Sequence, residues 1–200
     1  MSELDELREW LAEAGRVLAS VDTAAVARVV DALAAVRDAG GTIFVAGNGG
    51  SALAAGHFAL DLQKTARTSG GRTRAAALAD NVGLVTAWAN DTSFDRVFAE
   101  QIAAMARPGD ALVILSVSGS SPNLIAAVRE AQRQGLLTIG LLGTDGGAAR
   151  ALVSHAIVVP SGDYGFVESA HAVVHHVIAY ALRARRAGVG AAGRAGPAQV

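Results

Sequence analysis

The 200-residue chain has no cysteine, which excludes a disulfide framework, a thiolate metal site and a cysteine nucleophile. It has no basic excess either: 17 Lys and Arg residues stand against 18 Asp and Glu residues, for a net charge of -1, so we expect no nucleic-acid partner. Every candidate apolar run is interrupted before about 18 residues, so we expect no membrane span. The first residues, MSELDELREW, are acidic rather than apolar, which predicts no secretory signal and a cytoplasmic location.

Apolar residues are instead abundant, at 52% of the chain, and much of the excess is alanine. Helices with Ala-rich surfaces pack closely against other helices, so this composition favours a buried contact between subunits. The length suits one domain with a full core. We expect a single domain over residues 1–187 that includes an N-terminal helical segment at 4–38. Residues 188–200 consist mainly of Gly, Ala, Arg and Pro without periodicity, and we expect them to be disordered.

Helical and strand patterns alternate along this domain. Apolar spacing and capping residues predict helices, at 4–20, 22–38, 80–90, 93–106 and 165–187 among others. Short apolar or β-branched runs predict buried strands, at 42–46, 74–78, 111–115, 137–142 and 156–159. Strands that alternate with helices pair in parallel through right-handed crossovers. The sequence therefore predicts an α/β fold.

Two of the predicted strands run directly into turns that suit an anion. Residues 47–51 (GNGGS) combine glycines with the start of a helix, whose N-terminus presents free N–H groups and a partial positive charge. Residues 116–121 (SVSGSS) follow another strand in the same way and offer four hydroxyls, which can hold a phosphate without Lys or Arg. Either turn alone could simply close a short connection. Together, at the carboxyl edge of a parallel sheet, they favour a small phosphorylated ligand.

Acidic and imidazole side chains lie on two predicted helices. His57 and Asp61 are four residues apart and share a face, where they could transfer protons, bind a metal or form a surface ion pair. The last helix carries Glu168, His171, His175 and His176. Glu168, His171 and His175 share one stripe of this helix, whereas His176 lies about 80° from Glu168. The spacing therefore favours the stripe as a site face, unless single histidines line a subunit contact. His57 and Asp61 with Glu168 and a histidine would supply four ligands for zinc.

Several motifs, taken jointly and in order, resemble the SIS (sugar isomerase) domain and, within it, the phosphoheptose isomerases. They are GNGGSA at 47–52, HFA at 57–59, TAWAND at 86–91, RPGD at 107–110 and SVSGSSPN at 116–123. The resemblance implies a three-layer αβα sandwich of the flavodoxin-like kind, with a five-stranded parallel sheet. It also implies a homotetramer whose active sites lie between subunits.

The resemblance also assigns site residues. It implies phosphate binding by Ser51, Ser116, Ser118 and Ser121, and further substrate contacts by Asn48 and Asp91. We add the glycines and the remaining serine of the two turns, and the acid of the last helix. The predicted substrate site then comprises Asn48, Gly49, Gly50, Ser51, Asp91, Ser116, Ser118, Ser120, Ser121 and Glu168. The expected partner is therefore a phosphorylated sugar.

The chemistry that the resemblance implies is conversion of sedoheptulose 7-phosphate to D-glycero-D-manno-heptose 7-phosphate through an enediol. Asp61, where the family usually has Glu, would move the proton between the two carbons, and His176 would be its acid–base partner. Some members bind zinc through the positions that match His57, Asp61, Glu168 and His176, so zinc is the expected cofactor. The physical chemistry agrees, because a metal or a protonated histidine stabilises the developing oxyanion.

Three departures from the family pattern bear on the substrate. Asp61 is one methylene shorter than Glu. Glu168 replaces a Gln, and its charge would tighten a divalent metal or, without a metal, raise the pKa of a neighbouring carboxylate. Thr65 stands where the family has a substrate-contacting Arg. Two alternatives therefore stay open: an isomerase of another sugar phosphate, and a non-catalytic SIS protein that binds a sugar phosphate or associates with the replication initiator. His176 favours the enzyme, because the non-catalytic relatives commonly lack that histidine.

Overall fold

The computed structural model describes residues 2–66 and 72–186, and the tail that we expect to be disordered, 188–200, lies outside these residues. The described residues form one five-stranded sheet in the order β2-β1-β3-β4-β5, with every pairing parallel. The strands are β1 (Thr42–Gly47), β2 (Arg74–Ala77), β3 (Ala111–Ser116), β4 (Leu137–Gly143) and β5 (His155–Val159). This order confirms the predicted fold class. It also creates a topological switch point between β1 and β3, where open α/β sheets bind ligands.

Eight α-helices of the described residues flank the sheet. They are α1 (Glu3–Ala19), α2 (Thr23–Asp38), α3 (Gly50–Gln63), α4 (Val82–Asp91), α5 (Val97–Met105), α6 (Pro122–Arg133), α7 (Gly147–Arg150) and α8 (Tyr164–Arg186). The helix predicted at 93–106 is divided, because its first turn is a separate 3-10 helix, Phe94–Arg96, ahead of α5. None of the described helices is both long and apolar enough to cross a membrane.

Side-chain alternation along the strands divides the core into two layers. In β1, Ile43 and Val45 pack in one cluster with α2, α3 and α8, and Phe58 of α3 is fully buried there. Phe44 and Ala46 face the opposite way and pack with the helices α4 to α7. Helices therefore cover both faces of the sheet, which explains why its central strands are apolar throughout.

Local hydrogen bonds set the ends of the elements. Asp22 caps α2 and accepts a bond from the Ala24 N–H at 2.8 Å, which satisfies a free donor of the first turn. Asp110 accepts bonds from the backbone N–H groups of Thr42 (2.7 Å) and Arg107 (2.8 Å). The RPGD motif thus joins the beginnings of β1 and β3, at the edge of the sheet opposite the strand exits.

Candidate active site

A pocket lies at the carboxyl ends of β1 and β3. Helix α3 begins just after β1, and α6 begins just after β3, so the N-termini of both helices are close to the switch point. The pocket is lined by Asn48, Ser51, Leu115, Ser116, Val117, Ser118, Ser121, Leu124, Tyr164 and Glu168. Most of the predicted substrate residues are thus brought together in one chain. We call this the serine pocket.

The first turn depends on its glycines. A Cβ at Gly47 would overlap the backbone carbonyl of Ser51, and Gly49 has a φ of +53°, a conformation that favours glycine. A Cβ at Gly50 would lie 2.5 Å from both carboxylate oxygens of Glu168. The carboxylate of Glu168 therefore rests against the backbone at the beginning of α3, inside the serine pocket.

The second turn is held by its own hydroxyls. Ser116 Oγ accepts a bond from the Gly119 N–H (3.0 Å), and Ser118 Oγ accepts one from the Ser120 N–H (3.3 Å), which leaves each O–H available to donate to a ligand. Ser120 Oγ instead accepts from the Ala148 N–H at 3.3 Å and is not part of the pocket lining. The side-chain amides of Asn48 and Asn123 exchange two hydrogen bonds, of 2.9 and 2.8 Å, which join the two turns.

A second group of polar side chains lies where α3 packs against α8. Asp61 Oδ2 is 2.8 Å from His176 Nδ1, 3.3 Å from His175 Nδ1 and 3.9 Å from His57 Nε2. Asp61 and His175 are buried, whereas the side chains of His57 and His176 are 49% and 36% exposed. We call these four residues the Asp–His cluster. It is accessible from one side, as a site that receives a substrate must be.

Burial controls the protonation of two histidines on α8. Removal from water and, to a smaller extent, the nearby imidazoles of His176 and His57 lower the pKa of His175 to about 4, against the opposing effect of Asp61. Burial also lowers the pKa of His171 to about 4, because the charged form loses its hydration. Both imidazoles are therefore neutral near pH 7.

The Asp–His cluster has the donor set of a divalent metal site. Ligand atoms of the three histidines lie within 4.8 Å of one another. Asp61 Oδ2 and both nitrogens of His175 are buried without a hydrogen-bond partner among the described residues, although buried polar atoms are normally paired. Neutral imidazole nitrogen and carboxylate oxygen are common zinc ligands. The residues that are present therefore fit the expected ion.

Besides Ser120, Asp91 lies apart from the serine pocket in this chain, and Glu168 takes only one of its two predicted places. Asp91 is exposed at the end of α4, where its Oδ1 accepts a bond from Asn90 Nδ2 at 2.9 Å, and it does not line the serine pocket. Glu168 lines the serine pocket and, like Asp61, is not part of the group His57, His175 and His176 whose ligand atoms could hold a metal. The predicted ligands His57, Asp61 and His176 do converge.

Two contacts were missed by the analysis of the sequence. The spacing along α8 favoured His175 as part of a site face with Glu168 and His171, but its contact with Asp61 was not predicted, because a helical stripe does not show which neighbour it faces. Thr65 was noted only as a departure, yet its hydroxyl donates to Asp61 Oδ1 at 3.2 Å. The spacing of four residues between Asp61 and Thr65 could have indicated this contact.

Comparison with known proteins identifies relatives of the whole fold. The SIS domain family matches residues 9–143. A phosphoheptose isomerase of Trichlorobacter lovleyi is 38% identical over 156 residues, which cover 78% of this chain and 80% of the relative. The phosphoheptose isomerase of Burkholderia pseudomallei is 35% identical over 181 residues, covering 88% and 92% of the two chains.

A solved structure agrees with these relatives. The phosphoheptose isomerase from Francisella tularensis superposes with a TM-score of 0.86 at 27% identity, covering 92% of this chain and all of the other. The chain belongs to the SIS domain family and, within it, to the phosphoheptose isomerases, which are sugar-phosphate isomerases.

Proposed function

We propose that the protein converts sedoheptulose 7-phosphate to D-glycero-D-manno-heptose 7-phosphate through an enediol, with Asp61 and His176 as the acid–base pair. The observation that carries this proposal is the 2.8 Å approach of His176 Nδ1 to Asp61 Oδ2, on the two helices that also contribute to the serine pocket. Asp61 would take a proton from the carbon beside the carbonyl and return it to the neighbouring carbon. His176 would exchange a proton with the sugar oxygens, so that no net proton is gained or lost.

The serine pocket supports binding of the phosphate group. Ser51, Ser116, Ser118 and Ser121 offer hydroxyls beside the N-termini of α3 and α6. No Lys or Arg lines this pocket in the described part of the chain, so its hydrogen bonds would come from hydroxyls and backbone N–H groups. Glu168 brings a negative charge to the pocket. Its carboxylate is better suited to accept a hydrogen bond from a sugar hydroxyl than to contact the phosphate.

The separation of the two groups favours a long sugar. Ser51 and Asp61 are ten residues apart on α3, which corresponds to about 15 Å along the helix axis. A ligand whose phosphate lies at Ser51 must extend far along α3 before its carbonyl end reaches Asp61. A seven-carbon chain meets this requirement better than a triose or tetrose phosphate.

A zinc ion is the expected cofactor of this site. His57, Asp61 and His176, the predicted ligands that converge, would hold it, and a bound divalent ion would stabilise the negative charge that develops on the sugar oxygens. Asp61 is held for this task by Thr65, whose hydroxyl binds the opposite carboxylate oxygen. The proton transfers themselves are assigned to Asp61 and His176.

We also propose a cytoplasmic homotetramer with active sites between subunits. Large apolar side chains are exposed on this single chain, among them Leu11 (76%) of α1 and Leu53 (80%) of α3, and such side chains are typical of subunit contacts. Asp91, exposed at the end of α4, would then reach the site of a neighbouring subunit. Light scattering on the purified chain measures the assembly directly, and a monomer would contradict this part of the proposal.

The test of the function is an assay panel of five-, six- and seven-carbon ketose phosphates, each with and without a chelator. We expect turnover of sedoheptulose 7-phosphate, with kcat/KM highest for that substrate. Preference for a shorter ketose phosphate would support the alternative of another isomerase. Binding without turnover of any member would support a non-catalytic sugar-phosphate protein, and either result would refute the proposal.

A further inference from the structure

The environment of Asp61 Oδ2 differs from the ligand set that the family resemblance implies. Three imidazole nitrogens surround this oxygen, and one belongs to His175, which that set does not include. We infer that His175 is the fourth metal ligand of this chain, together with His57, Asp61 and His176, and that Glu168 is not a ligand. This inference rests on the proposed function in one respect, because it assigns the ligands of the metal ion expected at the same site.

The spacing of the four atoms suits a single small ion. Zinc–nitrogen bonds of about 2.0–2.1 Å in a tetrahedron place ligand atoms about 3.4 Å apart. The three distances from Asp61 Oδ2 are 2.8, 3.3 and 3.9 Å, which bracket this value. Three imidazoles and one carboxylate would supply four protein ligands to a zinc ion, which can expand to five-coordinate when a sugar oxygen binds.

The hydrogen bonding of these atoms supports the same conclusion. Asp61 Oδ2 lies close to His176 Nδ1 and His175 Nδ1, yet it has no hydrogen-bond partner among the described residues. Atoms that bind a common ion approach each other in this way, because their lone pairs point at the ion and not at a proton. His175 is fully buried and both of its nitrogens lack partners, so a neutral ligand role explains an otherwise costly group.

Thr65 fixes the orientation of the Asp61 carboxylate. Its hydroxyl donates to Oδ1, which orients the carboxylate and leaves Oδ2 for the ion. Hydrogen-bonded supports of this kind commonly orient metal ligands. Because Asp61 has a short side chain, the oxygen stays near α3, within reach of the adjacent pair His175 and His176 on α8.

Glu168 is held away from this group. Its carboxylate rests against Gly50, and Gly50 precedes His57 by seven residues on α3, about 10 Å along the axis. On α8, Glu168 likewise precedes His175 by seven residues, again about 10 Å. Along α3 the contact at Gly50 therefore lies about two turns from His57 and three turns from Asp61, and along α8 Glu168 lies about two turns from His175 and His176.

The experiment measures metal binding by the full chain, without substrate. Protein stripped with a chelator is titrated with Co²⁺ alone, whose visible absorption reports a tetrahedral site, and then with competing Zn²⁺. The variants are His175→Leu, Glu168→Leu and the matched control His171→Leu, which removes another buried histidine of α8. Circular dichroism of the metal-free variants checks that each is folded.

We expect one tetrahedral Co²⁺ per wild-type chain and the same affinity in Glu168→Leu and His171→Leu. Loss of a residue that only supports a metal ligand costs about 10–100-fold in metal affinity. Loss of a ligand should cost at least as much, so we expect His175→Leu to bind Co²⁺ more weakly by that factor or more. Unchanged affinity in His175→Leu, or a loss of that size in Glu168→Leu, overturns the inference. A wild-type chain that binds neither Co²⁺ nor Zn²⁺ also overturns the inference. Isomerase activity of that chain in chelator would still support the proposed function.

A spectroscopic measurement covers the case in which His175→Leu does not fold. Proton NMR of the Co²⁺-loaded wild-type chain shows strongly shifted, exchangeable N–H signals from the ligand imidazoles. We expect three such signals, one each from His57, His175 and His176. Two signals would match the set with Glu168 and would overturn the assignment of His175.

Discussion

Replacing Asp61 with asparagine removes the proposed base while keeping the size and shape of its side chain. The amide oxygen can still accept the bond that Thr65 donates to Oδ1, so the fold should be retained. A positioned general base contributes about 10²–10⁴-fold to a rate, which is about 3–5 kcal/mol of activation free energy. We therefore expect kcat to fall by that factor. KM should change little, because the serine pocket begins about 15 Å away along α3.

The assay follows conversion of sedoheptulose 7-phosphate by Asp61→Asn, with zinc supplied and with chelator. Asp95→Asn is the matched control, since Asp95 is an exposed carboxylate on the short 3-10 helix and should retain wild-type kcat. Thermal unfolding followed by circular dichroism verifies that both variants are folded. Near-full activity of folded Asp61→Asn in either condition would refute the assignment of the base.

Three further predictions test the pocket, the electrostatics and the core. Ser118→Ala should raise KM for the sugar phosphate by about 10-fold or more, since a hydrogen bond to a charged group contributes about 1.5–3 kcal/mol; an unchanged KM in steady-state assays would remove Ser118 from the phosphate site. The pKa of His171 is about 4 in the folded chain, below the ordinary histidine value of 6.5, so the unfolded chain binds the proton first as pH falls. Metal-free protein should therefore lose up to about 3 kcal/mol of stability between pH 6.5 and 4, and urea unfolding of His171→Leu should show a smaller loss. Phe58 is fully buried in the core beside α8, so Phe58→Ala should lower the free energy of unfolding by about 3–5 kcal/mol, and a loss below 1 kcal/mol in denaturant titration would contradict that packing.

The fold was largely predictable because its signals are local. Each strand is a short apolar run between turn residues, and the alternation with helices implies parallel pairing. The two turns were predicted to meet for the same reason, since both follow parallel strands, and Asn48 and Asn123 do join them. The division of the helix at 93–106 was not predicted, because a 3-10 turn has nearly the same apolar spacing as an α-helix.

The Asp–His cluster shows the limit of reasoning from local pattern. The spacing of α8 favoured Glu168, His171 and His175 as one face, and the resemblance assigned His176 instead of His175. In the structure this stripe serves three environments: Glu168 lies in the serine pocket, His171 is buried without a hydrogen-bond partner on its ring nitrogens in the described part of the chain, and His175 contacts Asp61. A 23-residue helix passes several neighbours, so one stripe need not be one site.

Sequence patterning alone was enough for the parallel α/β sheet and for the paired serine and glycine turns, since these depend on residues near one another in the chain. The packing of α3 against α8 decided which imidazoles surround Asp61, and the bare backbone at Gly50 decided where the Glu168 carboxylate lies. These placements depend on the rotation of one helix against another. That rotation follows from the whole core, in which Phe58, Val174 and Ile178 pack together, and not from the spacing within either helix.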